Sequence, residues 1–146
     1  MKTIIHVATI KKGRPSVFRA LATQTGLSSW WSTEVTADKQ VGGMIRFRFL
    51  GDFHPEMTIV ALEEPSLVKW RCVAGHDNWR DNEFEFRLED VGGDSRLKFV
   101  QTYSRELDDV QYGIYNFNWG YYLESLRLYC EGGRGSPFDP KTGRSG

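Results

Sequence analysis

The middle of the chain alternates between hydrophobic and polar residues with the two-residue period of β-strands. Short turn segments separate five such runs, and Gly92-Gly93 is a strong hairpin signal. The runs are residues 44–50, 56–63, 67–73, 82–89 and 96–104. One-sided alternation of this kind predicts a meander of antiparallel strands, with one face towards the core and the other towards water.

The segments before this meander predict one strand and two short helices. Residues 3–11 are rich in β-branched side chains, which favours a strand. Pro15 stands where the first residue of a helix would lie, and apolar residues follow it at helical spacing. We expect Gly26 to end this helix and residues 27–31 to form a second one.

A long helix is predicted after the strands. Asp108 and Gln111 have the spacing of a capping box, and Gly132-Gly133 is typical of a helix C-terminus. Apolar side chains recur between them at helical spacing. They are Tyr112, Tyr115, Trp119, Tyr122, Leu123, Leu126, Tyr129 and Cys130. Because a sheet must cover its apolar face, we expect the strands to curl around this helix.

The predicted fold class is therefore α+β. A curved antiparallel sheet of about six or seven strands wraps around a long C-terminal helix, and two short helices follow the first strand. We place one domain at residues 1–133. Residues 134–146 are dominated by Gly, Ser, Pro and charged residues, so we expect a flexible C-terminal tail there.

Aromatic residues make up 14% of the chain, which suits either a thick core or an apolar cavity with hydrogen-bonding groups at its edge. The inward-facing positions provide the candidate ligand-binding residues. They are Trp30, Phe47, Phe49, Met57, Trp70, Phe84, Phe86, Phe99, Gln101, Tyr103, Tyr115, Trp119, Tyr122 and Leu123. For each of them the alternative is that the side chain simply fills the core.

The polar candidates are few. Gln101 lies on an apolar face, where its amide would either hydrogen-bond to Tyr115 or Trp119, or orient a ligand. His76 beside Asp77 would be either an acid–base pair at the pocket rim or part of an ordinary solvated loop. The charged strand residues fall on the outward face, which disfavours acid–base catalysis inside. We therefore predict no catalytic residue, no metal site and no cofactor.

Charge and cysteine usage limit the partners and the compartment. Lys+Arg and Asp+Glu both number 19, so we expect no nucleic-acid partner. No apolar run is long enough to cross a bilayer, and the first residues lack the apolar segment of a signal peptide. Cys72 and Cys130 do not have C-x-x-C spacing, so we interpret both as reduced thiols. Reduced thiols in turn indicate a cytoplasmic protein.

The face of the long helix opposite its apolar stripe carries Gly113, Phe117 and Gly120. Glycine in a helix interior is costly, which favours close packing of the two short helices or of another subunit at this face. An exposed phenylalanine there also favours contact with a partner. A homodimer is therefore an open hypothesis.

Several short motifs, taken in their order along the chain, indicate a family resemblance. The set consists of residues 17–21, Leu27 with Trp30-Trp31, Gly42-Gly43, Glu64-Pro65 before residues 68–70, and Trp119 with residues 122–126. This set resembles the START-like (SRPBCC) superfamily, and within it small proteins related to the activator of the heat-shock-protein-90 ATPase. The resemblance implies a helix-grip fold with a pocket for lipids, polyketides, hormones or other apolar molecules.

Three functions are compatible with this resemblance. The one we favour is a non-catalytic protein that binds a small apolar or aromatic molecule, because no catalytic charges face inward. A second is an enzyme of the polyketide cyclase or aromatase type, with Gln101, Tyr103 or Tyr115 polarising a carbonyl group. A third is a protein-interaction module similar to the co-chaperone domain, which would present a large exposed apolar patch.

Overall fold

A seven-stranded antiparallel sheet and three helices build the protein, whose computed structural model describes residues 2–51 and 53–145. The helices are α1 (Arg14–Ala22), α2 (Gln24–Trp30) and α3 (Asp109–Gly132). The strands of the sheet are β1 (Thr3–Ile10), β2 (Val35–Ala37), β3 (Met44–Phe47), β4 (Glu56–Glu63), β5 (Leu67–Ala74), β6 (Glu83–Val91) and β7 (Asp94–Thr102). The predicted α+β class is confirmed.

The strand order across the sheet is β1-β7-β6-β5-β4-β3-β2. Strands β2 to β7 pair with their sequence neighbours, whereas β1 pairs with β7, where Ile4 lies opposite Gln101. The short strand β2 was not predicted, since three residues carry too little periodicity to be recognised. The strand predicted for residues 44–50 ends at Phe47, because the N–H of Phe49 turns to the carbonyl of Phe53 at 2.9 Å.

Helix α3 packs on the concave face of the sheet and forms the core with it. Its buried residues Trp119, Leu123 and Leu126 face the apolar side of the strands. The rings of Trp119 and Phe99 lie 4.2 Å apart between centroids. The predicted inward face is therefore confirmed by burial. On the solvent face, the strand residues Arg46, Arg87 and Arg96 form ion pairs, such as that of Arg46 with Glu56 at 3.2 Å.

The two short helices meet at Thr23, not at Gly26. Thr23 caps α2, and its side chain accepts a hydrogen bond of 3.0 Å from the N–H of Gly26. Gly26 lies inside α2, where a Cβ atom would stand 2.6 Å from the Cα and carbonyl oxygen of Ala20. The prediction that Gly26 ends the first helix is therefore wrong: glycine is required for close packing of α2 on α1.

The ends of α3 follow the predicted capping signals. Asp108 accepts a hydrogen bond of 2.8 Å from the N–H of Gln111, and Gly133 closes the helix with a left-handed φ of 81°. Of the two alternatives for the helix face with Gly113 and Gly120, packing of the short helices is wrong, and packing of another subunit stays a prediction. Gly120 instead faces His6 of β1, with 3.6 Å between its Cβ position and Cε1 of His6, and Gly113 has open space around it.

The residues after α3 return to the end of α2. Ser125 accepts a hydrogen bond of 2.6 Å from the N–H of Ser136. Phe138 begins β8 (Phe138–Asp139), which pairs with β9 (Arg144–Ser145), and its N–H donates to the carbonyl of Trp31 at 2.8 Å. The domain boundary after residue 133 and the flexibility of the tail stay predictions. Within the described residues, no helix is both long and apolar enough to span a membrane.

Candidate functional site

A pocket of about 440 Å³ lies beside the N-terminal half of α3. The turn after β3 and the loop between β5 and β6 form its other walls. Aromatic rings dominate its surface. The lining residues are Trp31, Phe49, Leu50, Phe53, His76, Trp79, Gln111, Ile114, Tyr115, Asn118, Trp119, Tyr122 and Phe138.

All five tryptophans of the chain form one contiguous cluster behind and around this pocket. Trp31 is central: its ring centroid lies 4.9 Å from that of Trp119 and 6.0 Å from that of Trp70. Trp79 stacks on Trp119 at 6.1 Å, and Trp30 stacks on Trp31 at 5.8 Å. The space between the sheet and the centre of α3 is therefore packed with rings, and the pocket begins where this packing ends.

Four of the fourteen predicted ligand-binding residues line the pocket, namely Phe49, Tyr115, Trp119 and Tyr122. The other ten are buried outside its lining. They are Trp30, Phe47, Met57, Trp70, Phe84, Phe86, Phe99, Gln101, Tyr103 and Leu123. Ligand contact stays a prediction for the first group, and core packing is the role that burial supports for the second.

Gln101 has two hydrogen-bond partners inside the protein. Its Oε1 accepts a hydrogen bond of 2.8 Å from the indole N–H of Trp119, and its Nε2 donates a hydrogen bond of 2.9 Å to Oδ1 of Asn82. The first bond confirms the structural role considered for Gln101. Asn82, also fully buried, was missed because it follows a polar loop and precedes a strand, so its sequence surroundings gave no sign of burial.

His76 is buried against Trp79, and the two rings are parallel with centroids 4.3 Å apart. Burial lowers the pKa of His76 to about 4, although the nearby carboxylate of Asp77 opposes this shift. The imidazole is therefore neutral at pH 7. Both roles considered for His76 are wrong: Asp77 points to solvent, 3.9 Å from Arg80, and the ring itself is not solvated.

Gly75 fixes the backbone immediately before His76. It has a φ of +83°, and a Cβ atom there would lie 1.7 Å from the carbonyl oxygen of His54. The N–H of His54 also donates to the carbonyl of Gly75 at 3.0 Å. The two loops that wall the pocket are thus joined backbone to backbone, and Phe53 packs on His76 with ring centroids 4.8 Å apart.

A small polar group interrupts the aromatic wall. Asn78 Nδ2 donates to Oε1 of Gln111 and, at 3.1 Å, to the hydroxyl of Tyr115. The hydroxyl of Tyr115 in turn donates to Oε1 of Gln111 at 3.4 Å. Gln111 was predicted only as a capping residue, but its side chain points to this group, and only its backbone N–H serves the cap.

The remaining lining residues missed from the sequence lie mainly in loops. Trp79 and Phe53 interrupt polar turn segments, and Phe138 lies in the segment expected to be a flexible tail. An aromatic ring inside a polar loop is the signal that could have identified Trp79 and Phe53, because such a ring needs a surface to pack on. Nothing in the local sequence indicates which surface that is.

A match to a protein-family profile identifies the family of the chain. The profile described as activator of Hsp90 ATPase homolog 1-like protein matches residues 14–131. The chain belongs to this family. The match includes both short helices, strands β2 to β7 and nearly all of α3, so the pocket walls are family elements except for Phe138.

Solved structures agree with this assignment of family and fold. The Aha1 dimer from Colwellia psychrerythraea, solved in solution, is 29% identical, with a TM-score of 0.82 over 92% of this chain and 100% of that chain. CalU16 from Micromonospora echinospora is 18% identical, with a TM-score of 0.70 over 90% of this chain and 77% of that one. DynU16, from the dynemicin biosynthetic locus, is 13% identical, with a TM-score of 0.76 over 92% of this chain and 49% of that chain. No curated protein matches significantly by sequence.

Proposed function

We propose that the protein binds a small apolar or aromatic molecule in the pocket beside α3 and catalyses no reaction on it. One observation carries this proposal: the pocket is walled by rings and has a volume of about 440 Å³. Binding sites for small molecules usually occupy roughly 300–1,000 Å³ and are mostly apolar with a few polar groups. The parts of the buried Trp31, Trp79 and Trp119 rings that line the pocket would gain contact area with a flat ligand.

The non-catalytic assignment rests on which groups can reach a ligand. Of the three residues that a cyclase-like mechanism would need, only Tyr115 lines the pocket. Gln101 is already bonded to Trp119 and Asn82, and Tyr103 is fully buried. Similarity to CalU16 and DynU16 supports the fold alone at these identities, so it adds nothing in favour of an enzyme.

Titration with 2-ethylnaphthalene, followed by the five indole N–H signals in ¹H–¹⁵N NMR spectra, tests the proposal. We expect the signals of Trp31, Trp79 and Trp119 to shift more than that of Trp30.

Two variants test the position of the ligand. Phe53→Ala removes a lining ring that is 49% exposed and should weaken binding several-fold. Val41→Ala removes side-chain volume from a residue that is 59% exposed and outside the pocket, so its affinity should equal that of the unmodified chain. Uniform or absent shifts would refute the proposal.

We further propose that two copies of the chain associate through the outer stripe of α3. This stripe consists of Val110, Ile114, Phe117, Tyr121 and Leu128, which are 73, 52, 75, 42 and 42% exposed. The spacing of the first four, alternately four and three residues, is that of a helix–helix seam. Residues 110–123 contain no Asp, Glu, Lys or Arg, so a symmetric pairing would meet no like-charge repulsion there. Similarity to a protein solved as a dimer also supports this proposal.

Sedimentation equilibrium tests the assembly. The unmodified chain should be dimeric at tens of micromolar, and Phe117→Glu should be monomeric because it would bury two carboxylates at the seam. Val7→Glu places the same charge on an apolar residue of β1 that is 61% exposed, and this variant should stay dimeric. A monomeric unmodified chain, or dimers of Phe117→Glu, would refute this interface.

A cytoplasmic location remains our proposal. Cys72 and Cys130 are both free thiols, as is usual in reducing compartments. Expression of a fluorescent fusion and cell fractionation would test it, and recovery from an extracytoplasmic fraction would contradict it.

A further inference from the structure

The polar group in the pocket wall has a defined donor and acceptor arrangement. Oε1 of Gln111 accepts from both Asn78 Nδ2 and the hydroxyl of Tyr115. A side-chain amide has one oxygen acceptor and one NH₂ donor group, and in this arrangement the oxygen of Gln111 is the end that meets Asn78 and Tyr115. Among the described residues, no side chain or backbone group accepts a hydrogen bond from Nε2 of Gln111. The amide N–H groups of Gln111 are therefore hydrogen-bond donors that this wall can offer a ligand, beside the amide of Asn118, which also lines the pocket.

The other described residues of the lining carry no formal charge. Within residues 2–51 and 53–145, no Asp, Glu, Lys or Arg lines the pocket. His76, the one titratable imidazole in the lining, is neutral at pH 7 because burial lowers its pKa to about 4. A charged ligand group would lose its hydration in this pocket, and the described lining residues provide no opposite charge to compensate. The chemistry of the wall thus favours a ligand that is uncharged where it meets Gln111.

We propose that the pocket selects a flat aromatic molecule bearing a neutral carbonyl group, whose oxygen accepts a hydrogen bond from the side-chain amide of Gln111. The inference rests on the proposed function, since it concerns the ligand of the same pocket. The aromatic framework packs against the sides of Trp31, Trp79 and Trp119 that line the pocket, and the carbonyl lies at the Gln111 edge. Asn78 and Tyr115 hold the amide so that its N–H groups remain available. Gln111 is thereby a specificity-determining residue.

Three naphthalene probes separate the contributions of the ring, the carbonyl and charge. 2-Ethylnaphthalene provides the ring alone, 2-acetylnaphthalene adds a neutral carbonyl at nearly the same size, and 2-naphthoate adds a negative charge. We expect the acetyl probe to bind about three- to tenfold more tightly than the ethyl probe, which is the effect of one hydrogen bond. The naphthoate should bind more weakly than either.

Gln111→Glu is the sharpest variant because it keeps an acceptor oxygen for Asn78 and Tyr115 while it replaces the N–H donors with a second oxygen and adds a negative charge. Glutamate is also favourable in the first turn of a helix, so the fold should persist. The ratio of the dissociation constants for the ethyl and acetyl probes should fall to about one. Asn116→Asp makes the same charge change on an exposed residue of α3 outside the pocket, and there the ratio should be unchanged.

The outcomes distinguish this inference from the proposed function. Equal affinities for the ethyl and acetyl probes, or tightest binding of the naphthoate, would overturn the carbonyl inference while leaving an apolar pocket. Retention of the acetyl preference in Gln111→Glu would overturn the role of Gln111. Failure of all three probes to bind would overturn the proposed function together with this inference.

Discussion

The indole N–H of Trp119 donates a hydrogen bond of 2.8 Å to Oε1 of Gln101, and both residues are buried. Nε2 of Gln101 continues the connection to Asn82 at 2.9 Å. These bonds tie α3 to β7 and to the segment before β6. The same indole ring contributes to the wall of the pocket, so the orientation of that wall depends on a polar bond within an aromatic core.

Gln101→Leu should lower the free energy of unfolding by about 2–4 kcal/mol, because it leaves two buried polar groups, on Trp119 and Asn82, without this partner. Urea unfolding monitored by circular dichroism measures the loss. In a double-mutant cycle with Trp119→Phe, the loss of unfolding free energy in the double variant should be smaller than the sum of the two single losses by about 1 kcal/mol or more. Strict additivity would show that the bond makes no contribution of its own.

Gly75→Ala should destabilise the protein far more than an ordinary glycine substitution in a turn. The new Cβ would meet the His54 carbonyl at 1.7 Å, so the two loops would have to separate, at a cost of about 3 kcal/mol or more. Gly92→Ala is the matched control, since Gly92 has a φ of +67° and open space around it. It should cost only about 1–2 kcal/mol, from the left-handed backbone alone. Similar losses for both variants would contradict the close approach.

The stability of the protein should depend on pH through His76. Its pKa is about 4 in the folded chain and near 6.5 when unfolded, so between these values the unfolded chain binds the extra proton. The free energy of unfolding should therefore fall as the pH decreases from 6.5 to 4, by at most about 1.4 kcal/mol per pH unit from this group. His76→Phe, which keeps a ring on Trp79, should flatten the dependence in this window.

A substitution of His54, which is exposed, provides the control for the pH dependence of the free energy of unfolding. His54→Gln should retain the pH dependence of the unmodified chain, since the change attributed to His76 remains. NMR titration of the His76 ring protons offers a direct measurement. A midpoint near the ordinary value for histidine would contradict the burial of this ring.

Two helical glycines should respond to alanine in opposite directions. Gly26→Ala should destabilise because its Cβ would press on the backbone of Ala20 at 2.6 Å. Gly113→Ala should stabilise by about 1 kcal/mol, because alanine has the higher helix propensity and nothing lies within 4 Å of its Cβ position. Thermal unfolding of both variants measures the difference. A gain in stability for Gly26→Ala would contradict the tight contact between α1 and α2.

Much of the fold could be predicted because its signals are local. The alternation in Phe84, Phe86 and Leu88 assigns an inward face whatever strand lies beside them, and all three are buried. Asp108 and Gly133 mark the ends of α3 through contacts within one helical turn. Residues 35–37 escaped prediction because three residues are too few to show a period.

The site was less predictable because it depends on contacts between distant parts of the chain. The sequence by itself determined the inward faces of the strands and helix, the aromatic character of the interior and the outward position of the charged strand residues. Tertiary structure alone decided that Gln101 is bonded to Trp119, that His76 lies against Trp79 and that Phe138 returns to Trp31. Periodicity reports which way a side chain points, whereas the position of a loop follows from long-range packing such as that between Gly75 and His54.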